Sequence, residues 1–280
     1  MKKKLARRVA AVAACLLAFG AARGEVELVA ATVGKGDAIV VRAGEYVCLV
    51  DTGKAEAQEQ LEQVLDQLGV KALDAVFITH TDRDHTGGLK WLRKSGIEIR
   101  AIYASRYFPE SSEKKHPAVK AAKKLGLEVN WLGAGDSVAM GDSGAVLQVL
   151  APEIEIPDNE DDNSLVMMLD SPDGRVLLAG DMERAEEARL LASGADLRCD
   201  VLKVPNHADS DACGPGLIAA CESAIAVIST DSAEKSDTPD PVVMKNLEKA
   251  GCAVFVTQNC SFGVRVVLSD GAARAEYVNW

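Results

Sequence analysis

The sequence predicts an α/β protein in which two mixed β-sheets pack face to face with helices outside. Strand-like and helix-like stretches alternate along residues 25–280, and each half of this region has several strands followed by helices. Hydrophobic residues make up 48% of the 280-residue chain and charged residues 26%, a composition that suits a packed core and excludes a disordered chain. Aromatic residues make up only 4%, so the core must be aliphatic.

Short apolar runs bounded by turn residues predict the strands. They lie at 25–33, 38–42, 46–50, 74–79, 100–104, 127–132, 145–150, 164–169, 175–179, 200–204, 224–229, 253–257 and 263–268. Apolar residues at helical spacing predict the helices, at 54–69, 87–94, 117–125, 183–193 and 241–250. The acidic, proline-containing segment 152–163 has no apolar period and marks the best internal boundary.

The first 24 residues have the composition of a secretory signal peptide. Basic residues precede an apolar run over 9–22, and small residues follow; the run is too short for a comfortable membrane span. We therefore expect a cleaved leader at 1–24, a single domain over 25–280, export, and no membrane span after cleavage. A lipid anchor on Cys15 is the alternative, because residues 12–15 resemble a lipobox, although the apolar run continues past this cysteine.

The charge balance bears on the class of partner. Acidic residues outnumber basic ones by 42 to 31, for a net charge of −11, and removal of the leader would take away only basic residues. Such a surface repels nucleic acid at long range. We therefore expect a small-molecule or phosphodiester substrate and no extended nucleic-acid binding.

Six cysteines remain once the leader is set aside, and an even number in an exported protein permits disulfides. The attractive local pairs are Cys213 with Cys221 and Cys252 with Cys260. Cys48 lies in an apolar stretch and is expected to be a small buried residue.

The strongest chemical signal is the segment 79–88, THTDRDHTGG. It places His80, Asp82, Asp84 and His85 on a tight loop directly after an apolar strand. Imidazole and carboxylate groups suit zinc, manganese or iron. A solvated polar loop would explain charged residues here, but it would not explain why half of the chain's four histidines lie in one short segment. The pattern predicts a metal site.

The order His-x-Asp-x-Asp-His-x-Gly-Gly resembles the signature of the metallo-β-lactamase superfamily, which usually has His where Asp82 stands. The form with Asp resembles the β-lactamase-like domain of the DNA-internalisation competence family and its secreted, free-standing relatives. Five weaker patterns match that subgroup in order along the chain, at residues 33–39, 49–53, 163–166, 178–181 and 202–207.

The resemblance implies a four-layer αββα sandwich with one or two divalent ions, zinc or manganese, at one edge of the sheets. It implies that His80 and Asp82 hold the first ion, that Asp84 and His85 hold the second, and that Asp181 bridges both. For Asp181, a helix N-cap is the alternative role. The implied activity is metal-assisted hydrolysis, with Asp84 and Asp181 as the catalytic carboxylates and a phosphodiester as the favoured substrate.

Two departures from the subgroup's pattern bear on activity. His-His-Gly-Ser is usual where this chain has 206–209, NHAD, and a later His-Pro is here Thr238-Pro239. We expect His207 to act as a metal ligand, with Asn206 ranked second, or else one ion to be held weakly. Two alternatives therefore stay open: a hydrolase of an ester, lactone or amide, and a non-catalytic binding protein on the same fold.

Two further residues complete the expectations. Asp51 ends a strand before a Thr-Gly turn and is expected to orient the metal loop through hydrogen bonds. His116 opens a basic helix before a proline and is expected at the surface. β-Lactam hydrolysis is the least expected activity, because true β-lactamases have His at the position of Asp82.

Overall fold

The computed structural model describes residues 25–108, 113–157 and 159–280. The expected leader and its Cys15 lie outside the described residues and stay a prediction. Along the described chain the strands are β1 (Val26–Ala31), β2 (Ile39–Ala43), β3 (Tyr46–Val50), β4 (Ala72–Leu73), β5 (Ala75–Ile78), β6 (Glu98–Ile99), β7 (Ile102–Ser105), β8 (Val129–Leu132), β9 (Ser137–Ala139), β10 (Val146–Ala151), β11 (Val166–Ser171), β12 (Gly174–Leu178), β13 (Val201–Lys203), β14 (Ile225–Ile228), β15 (Ala253–Val256), β16 (Gly263–Ser269) and β17 (Ala272–Val278).

The helices of the same ranges are α1 (Gln58–Gln67), α2 (Arg83–Thr86), α3 (Leu89–Leu92), α4 (Pro117–Leu125), α5 (Arg184–Ala192), α6 (Pro215–Cys221) and α7 (Pro241–Ala250). Strands β4, β6, β9 and β17 and helices α2 and α6 have no counterpart among the predicted elements. Helix α6 is short, and β17 is an edge strand that is mostly exposed and poor in β-branched residues. Within the described ranges, no helix has the length and apolar character that a membrane span requires.

The strands form two large mixed sheets. The first has the order β17-β16-β1-β2-β3-β5-β7-β8 and the second β15-β14-β13-β12-β11-β10-β9, while β4 pairs only with β6. In the first sheet the strands from β17 to β3 are antiparallel neighbours and those from β3 to β8 are parallel. In the second, β9 to β12 are antiparallel and β12 to β15 are parallel. The prediction of two mixed sheets is confirmed.

The sheets pack face to face, and helices cover both outer faces. In β1, Leu28 lies in the core between the sheets, whereas its neighbour Val29 packs with α1 on the outer side. In β11, Met167 and Met168 divide in the same way between the central core and the second helical layer. Burial of one such aliphatic side chain stabilises the fold by about 1.5–3 kcal/mol. The four-layer αββα sandwich that the resemblance implies is confirmed.

The expected boundary at 152–163 and the division into two successive halves are wrong. The chain changes sheets between β8 and β9, at residues 133–136, and β16 and β17 return to the first sheet. Strand β16 pairs with β1 across most of the chain, for example Val29 opposite Arg265. An apolar pattern marks a strand but does not specify its partner, so this closure is decided only when the sheets assemble.

His116 is buried, and the expectation of a surface residue is wrong. It is the N-cap of α4, where its Nδ1 accepts a hydrogen bond from the N–H of Ala118 at 3.2 Å. The ring packs edge-on against Phe108 and Trp131, with ring centroids 4.9 and 5.2 Å away. Because these aromatic residues lie on other segments, the helix start alone does not reveal that the ring is covered.

Burial, reinforced by Lys120, lowers the pKa of His116 from its ordinary value of 6.5 to about 4. The buried neutral ring therefore contributes stability that is complete above pH 6.5 and is lost as the pH falls towards 4. We expect the free energy of unfolding to fall by about 3 kcal/mol over this range from this group. His116→Asn, which keeps an N-cap, should lose less stability than the wild type between pH 7 and 4.5 in urea unfolding. Equal losses in both proteins would contradict the assignment.

The two local cysteine pairs are also wrong. Strand β15 separates Cys252 from Cys260, and four residues of strand span about 13 Å. Helix α6 separates Cys213 from Cys221, and seven residues of helix span about 10 Å. Both gaps exceed the roughly 7 Å limit for the Cα atoms of a disulfide. Cys48 is buried, as expected.

Cys199 is the partner that the fold places beside Cys221. The N–H of Cys199 donates to the carbonyl of Cys221 at 2.9 Å, and the neighbouring Cys199 thiol raises the pKa of the Cys221 thiol. Refolding with oxidised glutathione is expected to bridge these two residues, with both thiols giving their electrons and protons to the glutathione disulfide. Non-reducing peptide mapping should recover this bridge, and unfolding should need about 2–4 kcal/mol more. Recovery of a Cys213–Cys221 bridge instead would contradict the geometry.

Candidate metal centre

The signature segment begins where β5 ends. The Asp82 carbonyl accepts hydrogen bonds from the N–H groups of His85 and Thr86, at 3.1 and 2.9 Å, so one turn of helix, α2, forms at once. A Cβ atom on Gly88 would lie 2.2 Å from the carbonyl oxygen of Thr52, so only glycine permits this close packing. Two of the four expected ligands thus lie on a helical turn and not, as expected, on a loop.

Four side chains from three parts of the chain converge in what we call the His85 set, which consists of Asp84, His85, Asp181 and His207. Nε2 of His85 and Nε2 of His207 each lie 3.1 Å from Oδ2 of Asp181. The two nitrogens are 3.4 Å apart, and Oδ2 of Asp84 lies 3.6 Å from Nε2 of His207. Their potential ligand atoms therefore surround one small volume.

A second group, the His80 set, consists of His80, Asp82 and Asp161. Nε2 of His80 lies 3.6 Å from Oδ1 of Asp161 and 4.0 Å from Oδ2 of Asp181. Asp181 therefore lies between the two sets. Asp161 is absent from the sequence-based ligand set, although it lies only two residues before the matched segment 163–166. Asp161 was not predicted as a ligand because no local pattern distinguishes one aspartate of this acidic segment from the next.

The N-cap alternative for Asp181 is wrong. Helix α5 has Glu183 as its N-cap residue. Oδ1 of Asp162 accepts hydrogen bonds from the N–H groups of Glu183 and Glu186, at 2.9 and 3.2 Å, and so satisfies the start of this helix. Because another carboxylate caps the helix, that of Asp181 is left for the metal centre.

Each histidine of the centre has its Nδ1 held by a neighbour. Nδ1 of His85 lies 2.8 Å from Asp51, and Nδ1 of His207 donates to the carbonyl of Ser229 at 2.7 Å. Nδ1 of His80 lies 3.0 Å from the hydroxyl of Thr79, which itself donates to Asp51 at 2.7 Å. A neutral ring that donates its Nδ1 proton to these oxygens offers Nε2 to a metal ion, as a metal-binding histidine requires.

The donor set fits a divalent metal ion. Imidazole nitrogens and carboxylate oxygens are the ligands that zinc and manganese accept. Nε2 of His80 and Oδ1 of Asp181 are buried and have no hydrogen-bond partner among the described residues. Buried polar atoms without partners are costly in a folded protein. An ion held between the two sets would satisfy both atoms.

Comparison with known sequences agrees with this arrangement. The profile described as the metallo-beta-lactamase superfamily matches residues 31–220, which is more than half of the chain. The chain belongs to this superfamily. The resemblance that the signature segment carries is thereby confirmed.

Individual relatives place the chain within the superfamily. It is 26% identical over 252 residues to ComE operon protein 3 of Bacillus subtilis and 25% identical over 246 residues to competence protein ComA of Neisseria gonorrhoeae. These matches cover 84% and 87% of this chain, but only 32% of each relative, so the chain spans about a third of their length. The crystal structure of the metallo-beta-lactamase fold protein YhfI from Bacillus subtilis has a TM-score of 0.55 at 13% identity, covering 87% of this chain and 99% of that one. That likeness shows the fold.

His207 enters the centre through an unusual backbone turn. Asn206, His207 and Ala208 have φ values of 42°, 54° and 64°, a conformation that non-glycine residues rarely adopt. The turn directs the His207 ring towards Asp181. The Asn206 side chain points away from Asp181, and its amide donates to Glu183 at 3.3 Å. Asn206 therefore lies outside both donor sets. The hydroxyl of Thr238 pairs with that of Thr230, at 2.7 Å, also outside them.

The pKa shifts in the centre indicate an excess of negative charge that a bound cation would neutralise. Burial lowers the pKa of His85, but Asp181 and Asp51 outweigh it and raise this pKa well above its usual value. The pKa of His207 is raised against burial in the same way, chiefly by Asp181. Burial raises the pKa of Asp161 to about 8, with help from Asp181. Without a metal, the buried carboxylates thus attract protons; a metal would supply the positive charge instead.

A buried ion pair lies next to the helix that bears Asp84 and His85. The ammonium group of Lys203 lies 2.8 Å from Oδ2 of Asp37, and both side chains are almost fully buried. The N–H of Asp37 donates to the carbonyl of Asp84 at 3.2 Å, and its own carbonyl accepts from Gly53 at 2.7 Å. The pair therefore fixes the loop that packs against the ligand-bearing helix.

Proposed function

We propose that this chain is a metal-dependent hydrolase and that its substrate is a phosphodiester. The observation that carries the proposal is the shared arrangement of the three histidines, each with Nδ1 within 3.0 Å of a neighbouring oxygen and Nε2 turned towards aspartates. An arrangement of this kind suits metal binding, and hydrolysis by an activated water is the chemistry that such a centre serves best.

We assign His80, Asp82 and Asp161 to one ion and Asp84, His85 and His207 to the other, with Asp181 between them. A divalent ion, zinc or manganese, would lower the pKa of a water molecule and neutralise charge that develops on the substrate oxygens. Asp84 and Asp181 would hold the attacking water by accepting its hydrogen bonds. Of these two carboxylates, Asp84 is the more exposed, at 21% against 4%, and so faces incoming substrate.

Two features support a phosphodiester over an acyl substrate. Two adjacent donor sets suit a phosphoryl group that is contacted from both sides. The chain also resembles competence proteins over most of its length. Among phosphodiesters, a short dinucleotide-like substrate would suit the net charge of −11 better than an extended nucleic acid would. Hydrolysis of an ester, lactone or amide is the second candidate, favoured by the same acidic charge and by the absence of the second histidine at Asn206.

The test combines metal analysis with a substrate panel. The purified chain, loaded with Zn²⁺ or Mn²⁺, is expected to retain one or two ions and to cleave bis(p-nitrophenyl) phosphate. Activity should disappear in EDTA and return when metal is restored. Turnover of an aryl ester or lactone alone would move the assignment to the acyl candidate. A chain that retains no metal would support the non-catalytic binding protein.

We also propose that the protein is exported after removal of residues 1–24. The basic, apolar and small regions of the leader support this proposal. Mass spectrometry of the mature protein should find a chain that begins near residue 25. A mature protein that retains Met1 would contradict export by this route, and a lipid mass on Cys15 would support the anchored form.

A further inference from the structure

Residues 231–238, here called the strap, connect the two sides of the metal centre. The strap begins two residues after Ser229, whose carbonyl holds His207. Its Lys235 pairs with Asp209, two residues beyond that histidine. Its Glu234 reaches across to the loops that follow β1 and β3.

The carboxylate of Glu234 lies in a small cradle formed by Gly34, Lys35 and Lys54. One of its oxygens accepts a hydrogen bond from the N–H of Lys35 at 3.0 Å and contacts the ammonium group of Lys54. A Cβ on Gly34, where φ is +78°, would lie 2.3 Å from the other oxygen, so glycine leaves the room that the carboxylate fills. The carboxylate oxygens here stand in for the oxygens of an anionic ligand group.

The cradle adjoins the His85 set. A Cβ on Gly36, next to the cradle, would lie 2.6 Å from the carbonyl oxygen of Asp84. The carbonyl carbon of Lys54 would lie 2.8 Å from a Cβ on Gly87. Both cradle loops thus pack directly against α2 and its C-terminal end. The cradle therefore lies next to the helix that bears Asp84 and His85.

The contact that holds Glu234 is weak enough to be exchanged. The side chains of Lys54 and Glu234 are 27% and 41% exposed, and ion pairs exposed to this degree contribute little because water and salt screen them. A phosphate group carries more charge and more acceptor oxygens than a carboxylate, so it competes well for the same donors. The chain's net charge of −11 offers no general attraction for anions, so the cradle must act locally.

We propose that the cradle is an anion subsite for a phosphate group adjacent to the scissile diester, and that Glu234 fills it until substrate displaces the carboxylate. The inference rests on the proposed function for the identity of the substrate. It narrows the substrate class to phosphodiesters that carry a further phosphate, such as a 5′-phosphorylated dinucleotide.

The test compares two probes, a thymidine dinucleotide with and without a 5′-terminal phosphate, each with a slowly cleaved phosphorothioate linkage. Calorimetry on the metal-loaded protein gives the affinity ratio, which is the affinity for the 5′-phosphorylated probe divided by that for the unphosphorylated one. Glu234→Gln is expected to raise this ratio by about three- to fivefold. Lys54→Gln is expected to lower it by about tenfold, and Lys54→Arg to keep most of it. The controls Lys124→Gln and Glu248→Gln make the same charge changes at exposed sites in α4 and α7 and should leave it unchanged.

The outcomes separate the subsite from the proposed function. An unchanged ratio in Lys54→Gln, or a lower one in Glu234→Gln, would overturn the subsite even if the ordinary dinucleotides are cleaved. Ratios that shift as expected without any cleavage of those dinucleotides would support the subsite and overturn phosphodiester hydrolysis. Metal content measured on every variant should stay constant, because neither side chain belongs to a donor set.

Discussion

Asp181→Asn is expected to abolish hydrolysis and to deplete the protein of metal while the chain stays folded. Oδ2 of Asp181 lies 3.1 Å from the open nitrogens of both His85 and His207 and 4.0 Å from that of His80. No other described carboxylate contacts both donor sets in this way. An amide of the same shape would keep the packing but remove the negative charge that the proposed metal site requires.

The expected loss of activity is on the order of 10³-fold, the upper range for removal of one group that stabilises charge in a reaction. Metal content by mass spectrometry and folding by circular dichroism are measured on the same preparation. Asp173→Asn, in the hairpin turn between β11 and β12, is the matched control and should change neither. A variant that keeps both ions and most of its activity would show that Asp181 does not join the two sets.

Asp51→Asn is expected to weaken metal binding by about 10–100-fold, although Asp51 belongs to neither donor set. Its Oδ2 accepts from His85 Nδ1 at 2.8 Å and from the Thr79 hydroxyl at 2.7 Å, and that hydroxyl lies 3.0 Å from His80 Nδ1. One buried carboxylate thus orients two histidines. The backbone tolerates asparagine here, because φ is 59° and asparagine adopts this region more readily than most residues.

Thr79→Val distinguishes the contact of Asp51 with His85 from its indirect contact with His80 through Thr79. It removes the contact to His80 but leaves the bond between Asp51 and His85, so its loss of metal affinity should be smaller and confined to one ion. Zinc titration against a competing chelator measures each affinity, and thermal unfolding in EDTA measures the stability of the metal-free fold. A fall in metal-free stability with unchanged zinc affinity would assign Asp51 a purely structural role.

Local patterns were sufficient for most of the fold. Strands such as 46–50 and 175–179, and helices such as 117–125 and 241–250, have an apolar period that a single element must bury whatever its partners are. The order of five motifs carried the family resemblance and with it the four layers. Such patterns do not specify which strands pair with each other. The pairing of β16 with β1 and the passage of the chain from the first sheet to the second after β8 were therefore not predicted.

The sequence by itself indicated a candidate metal site, because His80, Asp82, Asp84 and His85 are neighbours along the chain, and the ordered motifs added Asp181 and His207 through the family resemblance. Only the tertiary structure showed how these residues divide into two sets, that His207 and not Asn206 joins the His85 set, and that Asp161 joins the His80 set. Asp161 reaches the centre from a separate turn, and contact with a remote residue leaves no mark in a local pattern. The same reason explains His116, covered by aromatic side chains from two other segments, and Cys221, whose carbonyl accepts a hydrogen bond from the N–H of Cys199.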